Sequence, residues 1–441
     1  MSLRESSSQA PRAVLPAASR ASGRPPEPPG HDPAGLLETL HRHQRTTFLI
    51  ASGVSTAGSF AGLTAKGWIL MQGTGNPMVL ALHFAVLALP SLLVSGPAGV
   101  LTDRLGCETV LIRAQWGLFL AGTLGALAIP LQTGTMQVVL LMLSTMLAGI
   151  ASSFELTARN KYCALVVDHP GQLARYITSF SVVFNVGKLV GPPVGGWLVA
   201  ATGPLAALTI DAATYLLPIA TVVWLLRPNR AMEQRSRPGQ KASLISAWKD
   251  CGRPLRHVLG FTALACLAGF FHPGLAPLMA AEILGPSPQA LGLFTSVLAA
   301  GSICGGVVLQ RNSSWLSQRP ALLMGACVLA TGAAQVGMGV STSTGFALAM
   351  AWVIGAGTAS LLAGVNLISQ VGSPMVLRGR MAGLGQVAFL GGGGLSGLIA
   401  AGLSMTIGLA ATFAWLGGIG VLLGLWELTQ RAGLRIPPPV D

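Results

Sequence analysis

The chain has 441 residues, 51% of them hydrophobic and only 9% charged, against about 25% charged in soluble domains. That balance excludes a string of soluble globular domains. The formal net charge of +13 does not make a nucleic-acid binder, because the basic residues do not gather on one polar domain. All but two of the 27 Lys and Arg, Lys66 and Lys188, fall before the first apolar run, in or around alternate loops, or after the last run. This is the positive-inside pattern, and it predicts both termini in the cytoplasm.

In chain order, residues 1–46 are rich in Ser, Pro, Ala and Arg. They cannot build a core and are expected to form a disordered cytoplasmic tail. They hold no apolar region with a cleavage site, so no secretory signal is read there. Twelve apolar runs of membrane length follow, at 46–72, 78–101, 110–131, 135–156, 173–201, 205–226, 255–284, 290–310, 320–340, 345–369, 376–404 and 407–429. The longest polar interruption, 227–254, carries Pro, Gln, Ser and a block of positive charge. It reads as a cytoplasmic linker between six-helix halves at 47–226 and 255–429, with a short tail at 430–441. A weak internal repeat supports this division. Shifted by 205 residues, Arg175 meets Arg380, Leu198 meets Leu403, Gly203 meets Gly408 and Ala206 meets Ala411. The six cysteines show no paired or zinc-binding spacing and are expected to be free thiols.

Two stretches carry specific patterns. The second run ends in Gly99-Val100-Leu101-Thr102-Asp103-Arg104-Leu105-Gly106. The fifth contains Gly187-Lys188-Leu189-Val190-Gly191-Pro192-Pro193-Val194-Gly195-Gly196. Glycines at this spacing let a second backbone approach, and the Gly191-Pro192 step is expected to kink the rod. The first stretch resembles motif A of the major facilitator superfamily, and the second resembles motif C of its exporters. The helix-four end Phe154–Asn160 and the segment Gln370–Met381 also resemble the branch that includes enterobactin and macrolide exporters. The resemblance covers roughly residues 47–429. It implies an all-α membrane protein of twelve transmembrane helices in two pseudo-symmetric halves. It further implies alternating access around a midplane site, and export rather than uptake. In motif A, Gly99 is expected to permit close helix approach. Asp103 is expected to latch near Arg378 and Arg380 in the outward-facing state. Cys107 and Glu108 replace the two basic positions after Gly106, which moves the charge partners of Asp103 toward Arg113 or Arg159. Motif B is absent, since Thr145 stands where its arginine would.

Ionisable groups inside apolar runs are costly and mark functional sites. They are Lys66, Glu155, Lys188 and Asp211. Because helices one, four, seven and ten line the cavity in this superfamily, Lys66 and Glu155 rank ahead of Asp211. Glu155 is the first choice for carrying a proton, with pairing to Arg159 one turn later as its structural alternative. Asn185, His272, Asn366 and Gln370 are candidate substrate contacts, although polar residues in such helices more often make packing hydrogen bonds.

Enzyme readings fail on particular residues. Gly394-Leu395-Ser396-Gly397 has the form of an intramembrane protease serine, but no histidine follows His272. No metal-protease helix or phosphate-binding loop occurs. The expectation is a monomeric transporter in a bacterial inner membrane, exporting a small polar or amphipathic molecule. A siderophore-like metabolite or a drug fits. No metal or cofactor is expected, and the proton gradient is the expected energy source. A non-transporting sensor or assembly partner on the same fold, and an importer, are the alternatives.

Overall fold

The computed structural model describes residues 33–131, 134–167, 170–225, 248–249, 251–373 and 378–430. The expected linker lies largely outside them, and the C-terminal tail does so but for Gln430. Every regular element among the described residues is helical. The first helices are α1 (Pro33–Thr74), α2 (Pro77–Leu105), α3 (Cys107–Leu127), α4 (Thr135–Val166), α5 (Pro170–Thr214) and the short α6 (Leu216–Ala220). Later come α7 (Arg253–Gly269), α8 (His272–Leu284), α9 (Pro288–Arg311), α10 (Ser313–Ser317), α11 (Pro320–Val340), α12 (Thr344–Val371), α13 (Arg378–Gln386), α14 (Gly392–Ile407) and α15 (Leu409–Thr429). Ten of the described helical stretches are long and apolar enough to cross a membrane. The sequence gives twelve runs because one stretch, Arg175–Trp224, contains two of them, and α2 contributes only the shorter apolar piece Pro77–Pro90.

Local chemistry sets the helix ends. Asn76 caps α2 by accepting the Met78 N–H at 2.8 Å, with Pro77 at the first helical position. Ser287 caps α9 by accepting from the Ala290 N–H at 3.1 Å, ahead of Pro288. Gly203 breaks α5 with φ 85° and ψ 165°, and Gly408 turns the chain between α14 and α15 with φ 84° and ψ 162°. The two glycines aligned by the internal repeat therefore adopt one conformation, one that side chains with a Cβ rarely take.

Helix association in lipid draws little on the hydrophobic effect, so close packing and small residues must supply it. The later helices follow that rule. A Cβ on Gly355 would meet the Leu298 backbone, joining α12 to α9. A Cβ on Gly332 would come 2.6 Å from the Gly417 carbonyl oxygen, joining α11 to α15.

The described residues refine the expected boundaries. The chain is helical from Pro33, in the last part of the segment expected to be a tail. The run 255–284 is two helices, α7 and α8, because the chain leaves helical geometry at Phe270 and restarts with Pro273 in its first turn. The run 376–404 is interrupted by a π-helical turn at Val387–Gly391. The Gly191-Pro192 step keeps helical dihedrals, and the non-helical residue of this stretch is Gly203, between the expected fifth and sixth runs.

Candidate transport cavity

A cavity of about 250 Å³ lies among α1, α3, α4, α5 and Tyr215. Its wall carries four charged side chains: Lys66 from α1, Glu155 and Arg159 from α4, and Asp211 from the part of α5 beyond Gly203. Hydroxyls of Ser52, Ser55, Ser59, Thr145 and Tyr215 also line it. One end is dry, since Lys66, Gln115 and Thr145 are each no more than 5% exposed. The other end is a mouth, where Leu156 and Phe184 line the cavity and stay half exposed. A separate hollow between the ends of α1 and α4, beside Ile69, Gly73 and Gln137, holds no charged side chain.

At the dry end, the Lys66 side chain threads past a gap that only glycine leaves. A Cβ at Gly125 would lie 3.0 Å from Lys66 Cε and from the Ser144 hydroxyl oxygen. Ser144 is itself fixed, donating to the Ala121 carbonyl at 2.6 Å. Asp211 is 3% exposed, and its carboxylate packs directly on α1 at Gly62. One of its oxygens, Oδ1, has no hydrogen-bond partner. The Tyr215 hydroxyl lies beside this carboxylate and 2.9 Å from the Ser59 hydroxyl. Ser59 in turn donates to the Ser55 carbonyl at 2.9 Å.

Nearer the mouth, the Arg159 guanidinium donates to Glu155 at 2.9 Å, one helical turn apart. It also sits 5.3 Å from the centre of the Phe180 ring. Thus Glu155 has the partner that its structural alternative required. Asp211 reverses its expected rank: it lines the same cavity as Lys66 and is more enclosed than Glu155.

The motif C glycines lie against two different neighbours. Gly187, Gly191 and Gly195 face α1, where a Cβ would strike Thr56, Ala57 and Phe60, and Ala61. Gly196 alone faces α9, at Pro288 and Gln289. Pro192 meets α9 from the other direction, since a Cβ on Gly292 would be 2.6 Å from the Pro192 carbonyl oxygen. Along the same seam, Ser296 donates to the Leu189 carbonyl at 2.8 Å and Lys188 Nζ to the Ser302 hydroxyl at 3.3 Å. Most of the glycine face therefore joins α5 to α1, not to the later helices.

The remaining candidates are scattered. The Asn185 amide donates to the Ser181 carbonyl at 2.9 Å, a bond within its own helix. His272 opens α8, buried against the Phe270 ring at 5.1 Å, and its Nδ1 has no partner. Asn366 Oδ1 is buried without a partner near Gly385. None of these three lines the cavity with the four charges. The Gln370, Arg378 and Arg380 side chains lie outside the described residues, and with them the expected latch. Asp103 instead takes Lys161 of α4 as its cation, a residue the motif does not name. A Cβ on Gly99 would meet nothing within 4 Å, so the close approach expected there is not made. Arg104 is exposed, and Gly106 ends α2 with φ 85°. Because Asp103 and Lys161 are both well exposed, Lys161→Ala should lower stability by less than about 1 kcal/mol; a thermal melt of the variant beside the parent checks this.

Several residues escaped sequence reasoning. His83 contacts Thr145 at 3.2 Å, and Gln115 is buried at the cavity wall. Each stands as a single polar residue in an apolar run, which is the signal that could have found it. Glu427, fully buried in α15, meets His257 of α7 at 2.9 Å, well apart from the cavity in sequence.

The comparisons with known proteins agree with this architecture. A family model described as transmembrane secretion effector matches residues 37–431. The multidrug efflux pump Tap of Mycolicibacterium fortuitum is 26% identical over 394 residues, covering 86% of this chain and 93% of that one. The uncharacterized transporter YfiS of Bacillus subtilis (strain 168), of the same superfamily type, is 24% identical over 418 residues, covering 90% and 95%. Among solved structures, a peptide-transporter-family (POT) protein in complex with 5-aminolevulinic acid superposes with a TM-score of 0.70 at 10% identity, covering 89% of this chain and 96% of that one. A bacterial homologue of the iron transporter ferroportin superposes with a TM-score of 0.66 at 16% identity, covering 89% and 98%. At such identities the structures speak for the fold alone. With a family model spanning nearly all of the described residues, the chain belongs to the transmembrane secretion effector family of the major facilitator superfamily of membrane transporters.

Proposed function

We propose that the protein is a secondary active exporter that moves a small polar or amphipathic molecule out of a bacterial cell. In this reading twelve helices form two six-helix halves, 47–226 and 255–429, in the inner membrane with both termini cytoplasmic. The observation that carries it is the cavity: four charged side chains inside the membrane region, dry at one end and open at the other. Opposing charges on one wall suit a zwitterionic or hydrogen-bonding cargo better than a purely apolar one. With the orientation predicted by the positive-inside pattern, the mouth at Leu156 and Phe184 faces the cytoplasm. The seam between α5 and α9, from Lys188–Ser302 to Gly196–Pro288, then closes the outer side. That is an inward-open state of an alternating-access cycle. Exchange for protons supplies the energy.

Similarity to multidrug efflux pumps favours drugs as cargo. A siderophore-like metabolite is the second class, supported by the hydroxyl-rich wall. The test is a profile of small molecules inside cells and in the medium, for a deletion strain and its complemented parent. It is run in iron-poor and iron-rich growth, and again with a panel of antibiotics. The expected result is that at least one compound accumulates inside the deletion strain and returns to the medium on complementation. Depletion inside the deletion strain would show an importer. Unchanged profiles throughout would support a non-transporting sensor or assembly partner.

A further inference from the structure

We propose that Asp211, facing Lys66 at the dry end of the cavity, is the group that carries the exchanged proton, and that Glu155 is not. This rests on the exporter reading above and names the residues that would couple it to protons.

The two cavity carboxylates differ in what holds them. Glu155 is neutralised by Arg159 from the same helix at 2.9 Å. Both ends of that pair move together, and an arginine keeps its charge. That pairing stays the same as helices shift. Asp211 has no such partner on its own helix. Its Oδ1 is buried and bonded to nothing, a costly arrangement for an ionised oxygen that a bound proton would relieve.

The charge opposite Asp211 comes from another helix. Lys66 of α1 feels Asp211 electrostatically, but the two do not close to a salt bridge among the described residues. Lys66 is held between α3 at Gly125 and α4 at Ser144, and His83 of α2 lies within its electrostatic reach. Tyr215 stands between Asp211 and Ser59, and Glu155 acts on Tyr215 from α4. These are the titratable groups around the site. Any relative shift of α1 and α5 changes the Lys66–Asp211 separation, while the Glu155–Arg159 separation stays fixed within α4.

The proton balance is simple. With the outer side open, the Asp211 carboxylate binds one proton and forms a carboxylic acid beside the Lys66 ammonium, giving the pair a net charge of +1. With the inner mouth open, the acid O–H bond breaks. Its proton passes to the Tyr215 oxygen while Tyr215 gives its own proton to the Ser59 oxygen, and the Ser59 hydroxyl releases its original proton to water at the mouth. The carboxylate is left attracted to Lys66 again, and one proton has crossed.

The test needs no cargo, so its failure is distinct from failure of the exporter reading. The purified full-length protein in lipid nanodiscs is titrated with acid and base while infrared difference spectra follow the carbonyl stretch of protonated carboxylic acids. The expected result is one titrating band of a buried acid in the parent, absent from Asp211→Asn and retained in Glu155→Gln. Removing a neighbouring ammonium favours the neutral acid. In Lys66→Met the band should therefore persist until the proton concentration is about tenfold lower. Size-exclusion profiles check folding. If Asp211→Asn does not fold, Asp211→Glu and Lys66→Met decide, each expected to move the titration. The proposal is overturned if the band survives in Asp211→Asn, if it vanishes in Glu155→Gln, if neither substitute variant moves it, or if the parent shows no titrating acid.

Discussion

Gly292→Leu should slow export severalfold or more while leaving the protein folded. The α5–α9 seam runs antiparallel, from Lys188 against Ser302 through Ser296 on the Leu189 carbonyl to Gly196 against Pro288. At Gly292 a first side-chain carbon would already sit 2.6 Å from the Pro192 carbonyl oxygen and 2.9 Å from Pro193 Cα. Those are backbone atoms held by two successive prolines, so the obstacle cannot rotate away. Overpacking of this kind costs about 1–3 kcal/mol. In the proposed cycle the strain would act only while the seam is closed and would bias the protein against that state. At about 1.4 kcal/mol per factor of ten, the closed state becomes about five- to a hundredfold rarer. The measurement is the initial export rate of the compound identified by profiling, beside size-exclusion and melting data. Gly191→Leu provides the contrast. Its side chain would press on Ala57 and Phe60 of α1, away from the α5–α9 seam, and it should lower melting temperature and yield instead. Parental export by Gly292→Leu would show that the seam does not need to close.

His257→Ala should clearly destabilise the protein. Glu427 is completely buried in α15, and both its oxygens lie within 3.2 Å of His257 Nε2. The imidazole is clasped by Phe261 and Trp426, at ring distances of 6.4 Å and 6.0 Å. Removing one partner of a buried pair leaves the other without compensation, at a cost of about 3–5 kcal/mol. The lower end applies, because His257 remains partly exposed. Replacing both partners by apolar residues, His257→Leu with Glu427→Leu, should recover most of the loss, since a buried pair is often no more stable than a packed apolar substitute. Glu427→Gln keeps a hydrogen-bonding partner and should cost less than His257→Ala. Thermal unfolding of the four proteins in one detergent gives the comparison. Equal melting temperatures for His257→Ala and the parent would mean that solvent already satisfies Glu427.

What could be read without coordinates followed from one-dimensional physics. A bilayer demands long apolar helices with satisfied backbones, so the membrane class was legible in composition and in the length of the runs. The glycines of motif C were legible as positions of close backbone contact, and the aligned pair Gly203 and Gly408 as turns. Partners were a different matter. That Gly187, Gly191 and Gly195 meet α1 while Gly196 meets α9 depends on how a helix face is divided between two neighbours, and spacing along one helix is the same for either. Asp103 pairing with Lys161 was hidden for the same reason, since several cations lie at similar depth and only packing selects one. For Asp211, depth in the membrane was legible and direction was not. The fold turns it onto Gly62, beside Tyr215 and toward Lys66. His257 and Glu427 are 170 residues apart, and nothing in the sequence joins them; the packing of α7 on α15 does. Hydropathy gives how deep a side chain sits; only the assembled helices decide which side chain it faces, because in lipid that choice is made by close packing and hydrogen bonding between surfaces of nearly equal polarity.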